Sequence, residues 1–289
     1  MILLNHNMTG ETKVISLPGS ERKVVFVVPC YNEAHRLDSA QFVQFARQHP
    51  TVHFIFVDDG SRDRTRELLL RMHDQLPKRI ELLVHKTNGG KGEAVRSGFQ
   101  RAFEIDPDII GFWDADLSTP VSAIKEFITF MAENPHCCAV LGSRIKILGR
   151  KIERRAGRHY LGRVFATFAS MTLNAGIYDT QAGAKAFRNT GVLRKVFSES
   201  FKSRWIFDVE ILARCKVAGI SLESQMAELP LRAWNDVRGS KVNALDFFVA
   251  LKDLVRIWLY LVKTGAWSHQ TPPNEAVEPR ANLSDSTID

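Results

Sequence analysis

Short apolar runs alternate with amphipathic stretches through the first half of the chain, and this order limits the folds that the chain can adopt. Five runs rich in β-branched residues predict strands at residues 23–28, 52–57, 80–85, 109–113 and 139–141. Four stretches between them predict helices at residues 34–48, 63–75, 92–103 and 121–133. Such alternation is typical of an α/β fold with a Rossmann-like, mostly parallel sheet and flanking helices.

The second half is predicted to be mainly helical, with helices at residues 160–176, 192–197, 209–218 and 246–264. The first carries an apolar stripe at helical spacing: Leu161, Val164, Phe165, Phe168 and Met171. The last carries cations on one face: Lys252, Arg256 and Lys263. We expect C-terminal amphipathic helices, an N-terminal extension over residues 1–22 and a disordered polar tail over residues 268–289.

Charge narrows the class of partner. The net charge is +7 in 289 residues, which favours nucleic acid, anionic lipid or phosphorylated substrates. Residues 144–163 hold eight Lys and Arg residues against one acid, Glu153. Aromatic residues are not interleaved with these cations, which disfavours nucleic acid. A solvated basic loop remains the alternative.

Cysteine usage and hydropathy bear on the compartment. Cys30, Cys137, Cys138 and Cys215 show no C-x-x-C spacing, which predicts free thiols in a reducing compartment and no zinc site. The start of the chain lacks the basic region of a signal peptide, and no run has the roughly 18 uncharged apolar residues of a spanning helix. The sequence therefore predicts a cytoplasmic protein, soluble or peripheral at the inner face of the membrane.

Polar clusters follow three of the predicted strands: PCYNE at 29–33, DDGS at 58–61 and DADLS at 114–118. Ligands of such sheets bind at the carboxyl ends of the strands. Asp114 and Asp116 place two carboxylates two residues apart, where their repulsion requires a nearby cation. A solvated turn capped by Ser118 or Thr119 is the alternative interpretation.

The other clusters suit a nucleotide. Candidate donor-binding residues follow the first two strands: Pro29, Tyr31, Glu33, Asp58 and Asp59. Among them, the two aspartates are acceptors suited to a base N–H. The segment NGGKGEAVRSG at 88–98 is a glycine-rich turn with Lys91 that leads into a helix, which is typical of an anion site. Ordinary turn chemistry is the alternative for each cluster taken singly.

In chain order, the segments VPCYNE, VDDGSRDRT, NGGKGEAVRSG, DADLSTP and GSR resemble the inverting glycosyltransferases of family 2, which have the GT-A fold. Four later segments are similar to the dolichyl-phosphate β-glucosyltransferases of that family: DTQAGAKAFRN, RWIFDVEIL, RAWNDVRGSKV and TGAW. The dolichyl-phosphate mannose synthases are more distant. The resemblance covers residues 23–267, with an expected donor half at 23–145 and an acceptor- and membrane-facing half at 146–267.

The resemblance assigns roles to individual residues. Asp114 and Asp116 would hold Mg²⁺ or Mn²⁺ on the donor diphosphate. The predicted catalytic residues are Asp116, Asp208 and Arg238, and Glu210 is a second candidate for the role of Asp208. Further donor contacts are predicted from Lys91, Gln181, Lys185, Ser240 and Lys241. The predicted contacts to an acceptor phosphate are Arg144, Arg154 and Arg158.

The implied reaction is transfer of glucose from UDP-glucose to a polyprenyl (dolichyl or undecaprenyl) phosphate, with inversion to a β-linked product. Eukaryotic members have an N-terminal anchor that this sequence does not show, so we expect peripheral binding, with a homodimer also open. The alternatives are a mannose synthase using GDP-mannose, an enzyme with a glycan acceptor and Asp208 as base, and a non-catalytic nucleotide-sugar-binding module. A nucleotidyltransferase would show a longer basic, glycine-rich loop after the first strand.

Overall fold

The computed structural model describes residues 23–153, 156–236 and 244–268, with side chains omitted for 156–161 and 244–248. The predicted extension at 1–22 and the tail from His269 lie outside the described residues. So do four predicted site residues: Arg154, Arg238, Ser240 and Lys241. Arg158 belongs to a helix, but its side chain is also outside the described part.

Seven strands form the main sheet, in the order β3-β2-β1-β4-β7-β5-β8. Their bounds are β1 Val24–Cys30, β2 Val52–Asp58, β3 Ile80–Val84, β4 Ile109–Trp113, β5 Ala139–Ser143, β7 Ala184–Arg188 and β8 Met226–Pro230. Two short strands, β6 Lys151–Glu153 and β9 Ala233–Asn235, pair separately in parallel. Only β7 runs antiparallel to its neighbours, β4 and β5, so the predicted α/β fold with a mostly parallel sheet is confirmed.

In the described part of the chain, eight α-helices flank the sheet: α1 Ser39–Gln48, α2 Thr65–Gln75, α3 Lys91–Ile105, α4 Ile124–Glu133, α5 Ala156–Leu173, α6 Gly191–Val196, α7 Phe207–Val217 and α8 Ala244–Lys263. One buried cluster joins the sheet to α3 and α5–α8, and a second joins it to α1, α2 and α4. Each face of the sheet is therefore covered, which explains why central strand β1 is apolar throughout its first five residues.

Three predicted helices begin later than their patterns suggested, and the helix predicted from 63 begins at Thr65. The first begins at Ser39 rather than 34, because the carbonyl of Glu33 accepts from the amides of Arg36 and Leu37 in a separate turn. The Asp38 side chain then caps the helix by accepting from the Gln41 amide. The helix predicted from 121 opens as a 3-10 turn, Val121–Ala123, before α4.

The last helix buries one stripe, Ala250, Leu254, Ile257 and Leu261, at helical spacing. Asp253 is buried as well, while most other described side chains of the helix are exposed and many of them are apolar. Within the described residues, no helix is both long enough and apolar enough to cross a bilayer.

Candidate active site

Strands β1, β2 and β4 run parallel and end at one edge of the sheet, where the predicted polar clusters meet. The amide of Asp59 donates to the Cys30 carbonyl at 2.8 Å, and the amide of Asn32 donates to the Ser61 hydroxyl at 3.0 Å. Because the chain leaves β1 toward β2 on one side and β4 lies on its other side, this edge is a topological switch point. A ligand crevice is expected at such a position.

Asp114 follows β4 and is fixed from two sides. Its amide donates to the Gly183 carbonyl at 3.0 Å, and Nζ of Lys91 donates to its Oδ1 at 2.5 Å. A Cβ on Gly183 would lie 1.8 Å from Asp114 Oδ2, so any other residue at 183 would displace the carboxylate. The sequence analysis missed Gly183 because only the tertiary fold brings it against Asp114.

Asp116 is the second member of this acidic pair and is half-buried. Its Oδ1 accepts from the Ser118 amide at 3.0 Å. Burial raises the pKa of Asp116, and the negative charge of Asp114 raises it further. Burial acts to lower the pKa of Lys91, but Asp114 and Asp208 outweigh it and the net pKa is raised. The Lys91 ammonium is thus the cation beside Asp114, while Asp116 and Asp208 act on it from further away.

Such a pair fits a divalent cation. Carboxylate oxygens are the hard ligands that Mg²⁺ and Mn²⁺ prefer, and an added cation would relieve the repulsion between Asp114 and Asp116. Among the described residues, no group of three or more His, Cys, Asp or Glu side chains could hold a metal ion. The acidic pair would therefore require oxygen ligands from a bound molecule.

The glycine-rich turn is organised by Asp59. Its two carboxylate oxygens accept from the amides of Gly89 and Gly90, both at 2.8 Å, and Oδ1 also contacts His85 Nδ1 at 2.9 Å. Gly90 has a φ of +91°, which favours glycine. The expectation that these amides face a ligand anion needs correction, since the anion that they bind is Asp59 itself.

Asp58 and Asp59 consequently have a different role from the one predicted. Asp58 is fully buried and accepts from the Ser61 amide and from Nε of Arg66, both at 2.9 Å. With their oxygens engaged inside the protein, neither carboxylate faces a nucleotide base. They brace the loops around the crevice.

The other predicted residues after β1 lie at the same edge. Pro29 is still in the strand and pairs with Val57, and Tyr31 is half-buried just beyond it. Glu33 forms an ion pair with Arg36, and its amide donates to the Thr65 hydroxyl at 2.8 Å. This edge therefore presents Tyr31, while Glu33 stabilises the turn before α1.

Lys185 was predicted to contact the donor, but the structure buries it completely in β7. Its Nζ donates to Asp208 Oδ1 and to the Ala182 carbonyl, both at 2.6 Å, and lies 5.0 Å from the centre of the Phe112 ring. Burial lowers the pKa of Lys185, while Asp208 acts in the opposite direction. Lys185 thus links Asp208 to the turn that carries Gly183, and it cannot reach a ligand.

Asp208 and Glu210, the two acids in the first turn of α7, have different surroundings. The negative charge of Asp208 acts to raise the pKa of both Lys91 and Arg144, so Asp208 lies in the crevice with them. Glu210 accepts from the amides of Lys202 and Ser203 and from Arg214, and therefore holds the loop before α7. Of these two candidates, only Asp208 is near the acidic pair.

Arg144, predicted to bind a phosphate, is engaged with Asp179. Its Nε and Nη2 donate to the two carboxylate oxygens of Asp179 at 2.7 Å, in a bidentate pair. Burial acts to lower the pKa of Arg144, but Asp179 outweighs it and the pKa is raised. The charge of Arg144 is thus largely neutralised within the protein.

A small cavity of about 60 Å³ lies beside Arg144, between α5 and residues 178–181. Arg163 lies along this cavity, stacks on the Tyr178 ring at 3.7 Å and donates to the Tyr178 carbonyl. The buried Thr180 Oγ1 and Gln181 Nε2 belong to residues that also line it, and neither atom has a hydrogen-bond partner among the described residues. Arg163 and Thr180 were not among the predicted site residues, because the resemblance assigns the acceptor phosphate to Arg144, Arg154 and Arg158.

A second missed cation is Arg204, which lies over the glycine-rich turn. Its Nη2 donates to the Asn88 side chain at 2.6 Å, and its side chain occupies the space beside Gly90. Since Arg204 is exposed, it adds positive charge to the rim of the crevice near Lys91.

The chain is similar to proteins of known family and activity. The Glycosyl transferase family 2 model matches residues 25–201. A dolichyl-phosphate beta-glucosyltransferase of Trichomonas vaginalis is 32% identical over 86% of this chain and 74% of its own. One of Saccharomyces cerevisiae is 30% identical over 80% of this chain and 72% of its own.

A solved structure shows the same fold at low identity. Glucosyl-3-phosphoglycerate synthase from Mycobacterium tuberculosis, in complex with Mn²⁺ and UDP-glucose, aligns with a TM-score of 0.57 and 16% identity. The alignment covers 84% of this chain and 79% of that one. Since the family model spans more than half of the chain and named relatives reach 30% identity over most of their length, the chain belongs to glycosyl transferase family 2 and is a glycosyltransferase with the GT-A fold.

Proposed function

We propose that this enzyme transfers glucose from UDP-glucose to a polyprenyl phosphate and inverts the anomeric carbon to give a β-linked lipid-phosphate sugar. The observation that carries the proposal is the acidic pair, Asp114 and Asp116, beside Lys91 at the switch point of the sheet. Relatives named dolichyl-phosphate beta-glucosyltransferases support glucose as the sugar and a polyprenyl phosphate as the acceptor.

The donor diphosphate would lie at the acidic pair. Asp114 and Asp116 would hold Mg²⁺ or Mn²⁺ there, and the ion supplies positive charge that stabilises the departing diphosphate. Lys91 and Arg204 would add positive charge from the other side of the crevice. Arg238, Ser240 and Lys241 stay predictions as further diphosphate contacts.

The acceptor needs little activation. A phosphate monoester has a second pKa near 6, so its oxygen is largely ionised at neutral pH. That oxygen would attack the anomeric carbon in line, forming the new C–O bond while the bond to UDP breaks and its electron pair leaves with the diphosphate. A general base is then dispensable, and Asp208, with one oxygen engaged by Lys185, would contact the sugar hydroxyls.

The acceptor phosphate would bind beside Arg144, in the cavity lined by Arg163, Thr180 and Gln181. The Thr180 hydroxyl and the Gln181 amide, which have no partner within the described part of the chain, are donors that an anion would satisfy, and the volume suits a phosphate group rather than a sugar ring. Arg154 and Arg158 stay predictions as further contacts.

We further propose that α5 and α8 dock on the membrane that holds the polyprenyl chain. The stripe of Val164, Phe168 and Met171 faces outward, with Met171 64% exposed. On α8 the exposed residues combine apolar and aromatic side chains with cations: Val255, Trp258, Leu259, Lys252, Arg256 and Lys263. Apolar residues flanked by cations are typical of an interfacial helix.

The proposal is tested with a panel of nucleotide sugars and short polyprenyl phosphates, with products read by mass spectrometry. We expect UDP-glucose with a polyprenyl phosphate to give the glucosyl phospholipid, and EDTA to stop the reaction. A preference for GDP-mannose would favour the mannose-synthase alternative. Transfer to a soluble glycan instead would exclude the lipid acceptor.

A further inference from the structure

The ion pair between Lys91 and Asp114 stands where the proposed metal would bind. Nζ of Lys91 lies 2.5 Å from Oδ1 of Asp114, a carboxylate that the proposed function assigns to the cation. An ammonium and a divalent ion that contact the same carboxylate repel each other strongly. Metal binding is therefore expected to displace Lys91 from Asp114.

Lys91 is placed so that it can move. It is the first residue of α3, and its side chain is 41% exposed while that of Asp114 is 30% exposed. The backbone amide of Asp114 donates to the Gly183 carbonyl, so the backbone that carries the carboxylate does not depend on the lysine. The flexible four-carbon stem of a lysine lets its ammonium change partner without backbone movement.

Resting on the proposed function, we propose that Lys91 is an exchangeable counter-ion: it neutralises Asp114 in the donor-free enzyme and transfers to the donor diphosphate when the metal binds. The metal alone would have to displace Lys91 without offering it a new anion. The metal together with a diphosphate supplies that anion. The metal and the nucleotide are therefore expected to bind cooperatively, and Lys91 acts as a positioning residue for the acidic pair before the donor arrives.

Replacement of Lys91 should change the affinity for the metal and the affinity for the nucleotide in opposite directions. Removing a cation that binds the donor should strengthen the binding of a bare metal ion, because the competitor for Asp114 is gone. The same change should weaken the binding of the nucleotide in the presence of metal, because the diphosphate loses a partner. If Lys91 only contacted the diphosphate, its replacement would weaken nucleotide binding but would not change the affinity for the metal in the absence of nucleotide.

The test uses Lys91→Met in the full chain, with Lys86→Met as the matched control. Lys86 is an exposed lysine five residues earlier, so the control makes the same change in net charge. Titration calorimetry measures Mn²⁺ binding without nucleotide and UDP binding with and without Mn²⁺. Thermal unfolding checks that both variants are folded.

We expect Lys91→Met to bind Mn²⁺ alone about threefold more tightly or better, as loss of a part-exposed ion-pair competitor implies. In the wild type, Mn²⁺ should raise UDP affinity by about tenfold or more, and Lys91→Met should lose most of that factor. Lys86→Met should match the wild type in both titrations. An unchanged or weaker affinity of Lys91→Met for Mn²⁺ alone would overturn the exchange.

The same titrations distinguish failure of the proposed function from failure of the exchange of Lys91. If UDP binding to the wild type does not respond to Mn²⁺, the metal role is excluded and this inference with it. If the wild type responds to Mn²⁺ and Lys91→Met keeps the full response, only the role of Lys91 is excluded.

Discussion

The acidic pair, Asp114 and Asp116, and a second set of aspartates at the same sheet edge differ in their surroundings. Asp59 and Asp179 are buried, and both carboxylate oxygens of each accept short hydrogen bonds, from backbone amides or from an arginine. We call these two the braced aspartates. The acidic pair is half-exposed and has fewer partners within the protein.

The difference shows how one residue type supplies both scaffold and site. A braced aspartate is satisfied by the protein, so its substitution removes folding energy. The acidic pair keeps oxygens and negative charge for a ligand, so its substitution should remove binding energy and leave folding nearly unchanged. Measuring stability and ligand binding separately for each substitution therefore tests the difference between the braced aspartates and the acidic pair.

The largest effect on stability is expected from Lys185→Met, which removes the buried partner of Asp208. The carboxylate is 7% exposed and would be left without its counter-ion. The free energy of unfolding should fall by about 3–5 kcal/mol, measured by urea denaturation. Lys86→Met, at an exposed position, should stay near the wild type. A loss no larger than that of the control would show that the pair does not support the fold.

Asp116→Asn should act on catalysis instead. The amide keeps the shape but removes one anionic oxygen from the acidic pair. Turnover should fall by roughly two orders of magnitude or more, about 3 kcal/mol of transition-state stabilisation, while urea denaturation changes little. Full activity of the wild type in EDTA would exclude a metal role for this pair.

Asp59→Asn should loosen the glycine-rich turn. The amide can replace only one of the two carboxylate acceptors that hold Gly89 and Gly90. The expected loss of stability is about 2 kcal/mol. Hydrogen exchange should show faster exchange of these two amides while amides in β1 keep their protection. Unchanged exchange at Gly89 and Gly90 would mean that Asp59 does not hold the turn.

The smallest effect is expected from Arg163→Ala at the cavity beside Arg144. Loss of one charge-assisted contact should raise the KM for a short polyprenyl phosphate about tenfold, or about 1.4 kcal/mol. The affinity for UDP should not change. Lys146→Ala, an exposed cation in the loop after β5, serves as the control. Equal effects of the two variants would argue against a phosphate at this cavity.

Local pattern was sufficient for the first five strands and for the position of the acidic pair. Apolar runs followed by polar clusters indicated parallel strands, and the fold then brought those clusters to one edge. The strands β7 and β8 were not predicted. β7 contains a lysine at its second position, and that lysine can be buried because Asp208, 23 residues later, neutralises it.

The same limit applies to the roles of site residues. The segment DDGS gives no indication that Asp59 accepts from the amides of Gly89 and Gly90, about thirty residues later. Likewise, Gly183 is required by the approach of Asp114, which no local pattern reveals. Sequence located the charged residues, but their partners depend on tertiary contacts.

The most direct test compares Asp116→Asn with Asp179→Asn, a braced aspartate paired with Arg144. UDP affinity is measured with and without Mn²⁺, alongside Tm. We predict that Asp116→Asn loses the gain in affinity from Mn²⁺ and keeps its Tm. Asp179→Asn should keep that gain and lose several degrees of Tm, as about 2–3 kcal/mol implies for a domain of this size. A full Mn²⁺ response in Asp116→Asn, or an unchanged Tm in Asp179→Asn, would contradict the division between the two sets of aspartates.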